Sequence, residues 1–106
     1  MSAELWAGSL EYVRVPVAAR IAGQLVDPTG LVVQLAFVPP GITPQAGDLV
    51  TGSWETDTST RPTTYRARAL VGPGGAALPR GRYTVWVKVT SDPELPLRPA
   101  GQLRVR

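Results

Sequence analysis

The chain contains no cysteine, no histidine and no asparagine. Without cysteine there is no disulfide framework, no thiolate nucleophile and no sulfur-ligated metal. Without histidine it lacks the side chain that most often acts as general base or metal ligand near neutral pH. Without asparagine it offers no N-glycosylation acceptor. Long apolar runs are missing too, and nothing approaches the roughly 20 residues of a membrane span. The opening "MSAELWAGSLEYVRVPV" has neither the basic leader nor the apolar run of a secretory signal. These absences lead to the expectation of a soluble protein made and kept in the cytoplasm, or leaving by a route other than secretion. They also argue against catalysis by this domain alone.

What is present is proline and glycine, eleven of each in 106 residues. Proline at this density breaks helices, because it lacks the N–H and clashes with the preceding turn. With 43% hydrophobic residues, a chain of this length forms one domain and buries roughly 65% of its unfolded surface, enough for a core without staples. The net charge of +3 conceals a split: residues 1–60 carry two arginines against six acids, and residues 61–106 carry nine Lys/Arg against Asp92 and Glu94. Such asymmetry suggests contact with nucleic acid or with an acidic surface, including that of another copy.

Alternation of apolar and polar residues marks the strands. "LEYVRVPV" (10–17) places Val13, Val15 and Val17 on one side, with Pro16 suited to an edge strand. "RIAGQLV" is a short second segment, and "DPTG" (27–30) has the residues of a type I turn. "LVVQLAFV" (31–38) is nearly continuous in apolar residues, as in a strand covered on both faces, with Leu31, Val33, Leu35 and Phe37 inward. "LVTGSWET" reads as one strand with Val50, Gly52 and Trp54 together. "TTYRARALV" (63–71) separates Tyr65, Ala67, Ala69 and Val71 from Arg66 and Arg68. "GRYTVWVKVT" separates Tyr83, Val85, Val87 and Val89 from Arg82, Thr84, Trp86 and Lys88. "GQLRVR" turns Leu103 and Val105 in, and Arg104 and Arg106 out. The pattern predicts an all-β domain: a single immunoglobulin-like β-sandwich of about seven short antiparallel strands over residues 9–106. Trp54 sits in its core, opposite a Gly-x-Tyr-x-Val strand. Residues 1–8 read as an N-terminal arm, with Trp6 either tucked against the domain or held out for a partner.

Motifs of chemistry are weak. "GPGGAA" (72–77) matches a dinucleotide fingerprint in form, but Pro79 and Gly81 leave no helix to receive a pyrophosphate, so it reads as a loop. Asp92 and Glu94, and likewise Glu55 and Asp57, read as solvated turns rather than calcium sites, which need six or more oxygens. No carboxylate pair points to a cleft for glycoside hydrolysis. No cofactor, metal or small-molecule substrate is expected.

The cationic strand residues are the sharper feature. If strands 63–71, 82–90 and 101–106 share a sheet, then Arg66, Arg68, Arg82, Trp86, Lys88, Arg104 and Arg106 share its outer face. That face suits a protein interface, where Trp and Arg are over-represented. It could also be a solvated surface with Trp86 shielded by arginine stems, or a single-strand nucleic-acid platform.

The runs "EYVRVPV", "DPTG", "VVQLAFVPPG", "GSWET", "YRARALVGPGG" and "GRYTVWVKVTSDPELPLRPAGQLRVR" resemble small proteins encoded among the structural genes of actinobacterial tailed phages and prophages. Ten arginines against one lysine agree with a GC-rich coding genome of that kind. The strand order is also similar in pattern to the immunoglobulin-like domains of phage baseplate upper proteins. The resemblance implies a non-enzymatic virion component near the head or head–tail junction, assembled in the host cytoplasm. It implies capsid, connector or tail proteins as partners, and other copies in a ring or lattice. No membrane or nucleic-acid partner is expected, and no family active site carries over. On this reading Trp86 and its Arg/Lys neighbours, with Trp6, contact an acidic partner surface. The competing class is a carbohydrate-binding or adhesive sandwich.

Overall fold

The computed structural model describes residues 2–21, 24–72, 75–90 and 97–106. The acidic turn with Asp92 and Glu94, the centre of the "GPGG" loop and the middle of "RIAGQLV" lie outside the described residues. Strands are β1 (Ser2–Leu5), β2 (Glu11–Val17), β3 (Ala19–Ile21), β4 (Gln24–Val26), β5 (Val32–Val38), β6 (Val50–Thr51), β7 (Ser53–Asp57), β8 (Thr64–Val71), β9 (Gly81–Thr90) and β10 (Arg98–Val105). One sheet runs β1-β10-β9-β5-β6, the other β2-β8-β7, and β3 and β4 form a small hairpin. The five-stranded and three-stranded sheets together make a β-sandwich.

The core is aliphatic. Val13 and Val15 from β2 and Ala67, Ala69 and Val71 from β8 meet Val33, Leu35, Val85, Val89, Leu103 and Val105 from the larger sheet. The inward sets read from alternation face the core, apart from Tyr65, which is half-buried and lies outside the core cluster. Trp54 packs half-buried against it, and its indole N–H donates to the Leu31 carbonyl at 2.9 Å. Near the start of β9, the Tyr83 hydroxyl donates to the Pro79 carbonyl at 2.6 Å. Two residues on, Val85 is 0% exposed in the core.

Four sequence expectations are revised. Residues 2–5 form no arm: they build β1, paired in parallel with β10 from Ser2↔Gln102 to Leu5↔Val105, with Leu5 in the core. The "DPTG" turn slips by one residue. Leu31 N–H bonds the Pro28 carbonyl, while the Asp27 carboxylate accepts from the Thr29 N–H and hydroxyl, so Pro28 is buried rather than at the turn's second position. The "RIAGQLV" segment is a hairpin rather than one strand.

The fourth revision is the consequential one. "LVTGSWET" is two strands in different sheets. Gly52 still donates its N–H to the Val33 carbonyl at 2.9 Å, whereas Ser53 already pairs with Arg68 of β8. A Cβ at position 52 would sit 2.7 Å from Leu35 Cδ1 and 2.8 Å from the Arg68 carbonyl. Only glycine fits where the chain squeezes between the sheets. Gly72 plays a similar part at the β8 end, where any Cβ would strike the Ser9 carbonyl. That close approach seats Gly72 against the turn joining β1 to β2.

Replacing Gly52 by alanine is expected to cost about 1–3 kcal/mol, because neither a core leucine nor a strand carbonyl yields easily. Urea unfolding midpoints measure this; a midpoint equal to wild type contradicts the crossing.

Candidate functional site

The crossing at Gly52 decides where the charges go. β8 pairs with β2 and β7, while β9 and β10 pair with each other in the opposite layer. The expected single cationic face is therefore two faces. Arg66 and Arg68 look out from the three-stranded sheet, and Arg82, Trp86, Lys88, Arg104 and Arg106 belong to the other.

On the three-stranded sheet each outward arginine is bonded to a carboxylate of the protein itself. Arg14 and Arg68 are directly opposite across β2 and β8, a like-charge pairing that destabilises strands when nothing intervenes. Glu55 intervenes. It bonds Arg14 at 3.1 Å, Arg66 at 3.1 Å and Arg68 at 3.5 Å, while Asp57 takes the other end of Arg66 at 3.3 Å. Arg68 also donates to the Ser53 hydroxyl at 3.0 Å and lies 4.4 Å from the centre of the Tyr12 ring. The Arg14 hydrogen bond, aided by Arg66, holds the Glu55 carboxyl below the usual carboxylate range. Hydrogen bonds from the Ser59 hydroxyl and N–H do the same for Asp57, with Arg66 adding to them. Both acids are ionised near neutral pH, and the network is closed.

On the five-stranded sheet one end is built differently. Glu4, Arg104 and Arg82 form a row across β1, β10 and β9, all facing solvent. Arg104 and Arg82 are again directly opposite. Here the adjacent carboxylate is committed elsewhere: Glu4 bonds Arg106 at 2.8 Å. Among the described residues neither Arg82 nor Arg104 has a bonded carboxylate. Beside them lies a depression of about 430 Å³ lined by Ser2, Glu4, Arg82, Gln102 and Arg104.

Further along this face Trp86 departs from the expectation of an outward anchor. It is half-buried, in register with Ala36 of β5 on one side and Pro99 of β10 on the other. Ala36 is 0% exposed and Val38 is buried, yet neither belongs to the central core. They sit on the outer face, beneath Trp86 and the 39–49 connection, whose Pro44 is buried and whose 3-10 turn (Ala46–Asp48) lies against β5. Trp86 thus closes a small second apolar layer. Its indole N–H is buried without a partner among the described residues. Lys88, opposite Gln34, is half-buried as well.

Two of the exposed large apolar residues are Val32 on β5 and Ile42 in the 39–49 connection; the other three lie elsewhere. Trp6 is 66% exposed in the turn after β1, Leu10 is 53% exposed just before β2, and Tyr12 is 40% exposed two residues on. Leu10 and Tyr12 were not singled out by the sequence, although they alternate on the same side as Arg14. All three sit at the end of the sandwich where β1 and β10 finish and β9 begins, the end that also carries Arg82, Arg104 and Arg106. Among the described residues no group of three or more acidic, histidine or cysteine side chains could hold a metal. Among the described residues no helix is long and apolar enough to cross a membrane. No family model, curated protein or solved structure matches the chain.

Trp86→Ala is expected to destabilise the domain by about 2 kcal/mol or more, as for other truncations of packed aromatics. Trp86→Phe, which removes the indole N–H and keeps one aromatic ring, should cost less stability than Trp86→Ala. A Trp86→Ala variant as stable as wild type would restore Trp86 as an exposed anchor.

Proposed function

We propose that this domain is a non-enzymatic structural module that joins a larger symmetric assembly through protein–protein contacts, as a virion component of a tailed phage or prophage. The observation that carries the docking part is the exposure of Trp6 and Leu10 in the turn joining β1 to β2, at the end that also holds arginines 82 and 104. Monomeric proteins rarely leave contiguous aromatic and aliphatic surface uncovered, and such surface marks contact sites. Trp, Tyr and Arg are the residue types that dominate binding energy when a partner excludes water from them. The virion part rests on the resemblance of the strand runs to phage structural proteins. A cytoplasmically assembled particle also has no need of cysteine.

The carbohydrate alternative is less well supported. A sugar platform wants several aromatic faces in one plane, but Trp6 lies on a turn, Tyr12 on one outer face and Trp86 half-buried on the other. A nucleic-acid platform loses Arg66 and Arg68, which are already bonded on the opposite side.

Light scattering after size exclusion tests the docking reading. Wild-type protein is expected to self-associate with rising concentration, or to bind a neighbouring gene product. A Trp6→Ser/Leu10→Ser variant with unchanged circular dichroism should lose that association. Genes for portal, capsid or tail proteins beside the coding sequence are expected on the virion reading. A locus without them, or saturable binding on a glycan array, contradicts it.

A further inference from the structure

Two pairs of arginines face each other across neighbouring strands in this protein, Arg14 with Arg68 and Arg82 with Arg104. In the first, the Glu55 carboxylate sits among the guanidiniums and bonds both. In the second, Glu4 stands beside Arg104 but bonds Arg106, no described carboxylate bonds Arg82 or Arg104, and Glu4, Arg82 and Arg104 all line a depression of about 430 Å³. Arg82 and Arg104 are directly opposite on paired antiparallel strands, as Arg14 and Arg68 are in the other sheet.

We propose that Arg82 and Arg104 form a receptor for a carboxylate of an acidic protein segment, with a partner's Asp or Glu side chain supplying what Glu55 supplies to Arg14 and Arg68. The inference rests on the docking reading above and names what the partner brings. Guanidinium forks match the planar geometry of a carboxylate, which can accept from both. The Gln102 amide and the Ser2 hydroxyl line the same depression and add neutral donors. Trp6 and Leu10, at the same end, supply the apolar surface that a charged contact needs around it to exclude water.

Two features select a protein carboxylate over a chain of phosphates. Glu4 stands directly beside Arg104 and, although bonded to Arg106, repels a polyanion laid along the row. The track is also short: Arg82, Arg104 and Arg106 with Glu4 among them, and Lys88 half-buried further along. The cations that might have extended it, Arg14, Arg66 and Arg68, face the opposite way and are already paired.

The test is side-chain NMR of ¹⁵N-arginine protein titrated with the peptide acetyl-Glu-Asp-Glu-amide at low salt. Saturable shifts are expected at the Arg82 and Arg104 Nε–Hε signals, with those of Arg14, Arg66 and Arg68 unmoved. Arg104→Gln should weaken binding by about tenfold, the loss of one charge-assisted contact. Arg82→Lys/Arg104→Lys, which keeps the charge without the forks, should weaken it too, and Glu4→Gln should tighten it. Amide spectra confirm that each variant is folded. An absent saturable shift, undiminished binding in Arg82→Gln/Arg104→Gln, or tighter binding of inorganic phosphate or oligothymidylate overturns the proposal. Absent peptide binding with Trp6-dependent association intact overturns this site alone; absence of both overturns the docking reading with it.

Discussion

The arrangement of the whole molecule depends on a missing side chain at position 52. The chain must leave the edge of the five-stranded sheet after Thr51 and join the edge of the three-stranded sheet at Ser53. It does so through a gap bounded by Leu35 and the Arg68 carbonyl, with no room for a Cβ. That crossing commits β7 to β8. Because β8 also pairs with β2, the strand bearing Arg66 and Arg68 lies in the layer opposite β9 and β10. The small residues Ala67 and Ala69 on its inner side let this layer close on Leu35 and Val85 of the other. A glycine at one position therefore determines which charges are neighbours across the molecule.

The two outer faces then show opposite solutions to one electrostatic problem. Like charges directly opposite on paired strands repel. On the smaller sheet the repulsion is relieved internally, with Glu55 placed by β7 among three guanidiniums. Each exposed ion pair is worth little by itself, typically about 0–1 kcal/mol. As a closed set, these pairs make the face a finished surface. On the larger sheet the repulsion stands. A position kept less stable than it could be is a common mark of a binding site, and the exposed Trp6 and Leu10 beside it point the same way. Trp86, by contrast, belongs to the packing: with Ala36 and Val38 it makes a second apolar layer, and its ring is a lid rather than a hook.

Much of this was legible in the sequence. Period-two alternation placed Val13, Val15, Ala67, Val85 and Leu103 inward correctly, because a strand with one wrong-facing valine row would lose its core entirely. Pro16 marked an edge strand, which β2 is. Sheet membership was not legible, since alternation along a strand carries no information about which strand lies beside it. The break at Gly52 was hidden for the same reason: Val50, Gly52 and Trp54 keep alternating through the crossing. β1 escaped notice because four residues with only Ala3 and Leu5 inward are too few to show a period. Trp86 misled because the polar parity of its strand says outward, and outward is not the same as exposed when a loop folds back over the sheet.

The central claim is that the protein compensates one cross-strand arginine pair and leaves the other open for a partner. Thermal unfolding at low ionic strength tests this without knowledge of that partner. Arg104→Gln, which removes an unrelieved repulsion, is expected to raise the melting temperature by about 1–3 °C. Arg68→Gln, which breaks contacts to Glu55, Ser53 and the Tyr12 ring, is expected to lower it by at least as much. Should both substitutions lower it alike, Arg82 and Arg104 are held by structural contacts of their own, and the open site does not exist.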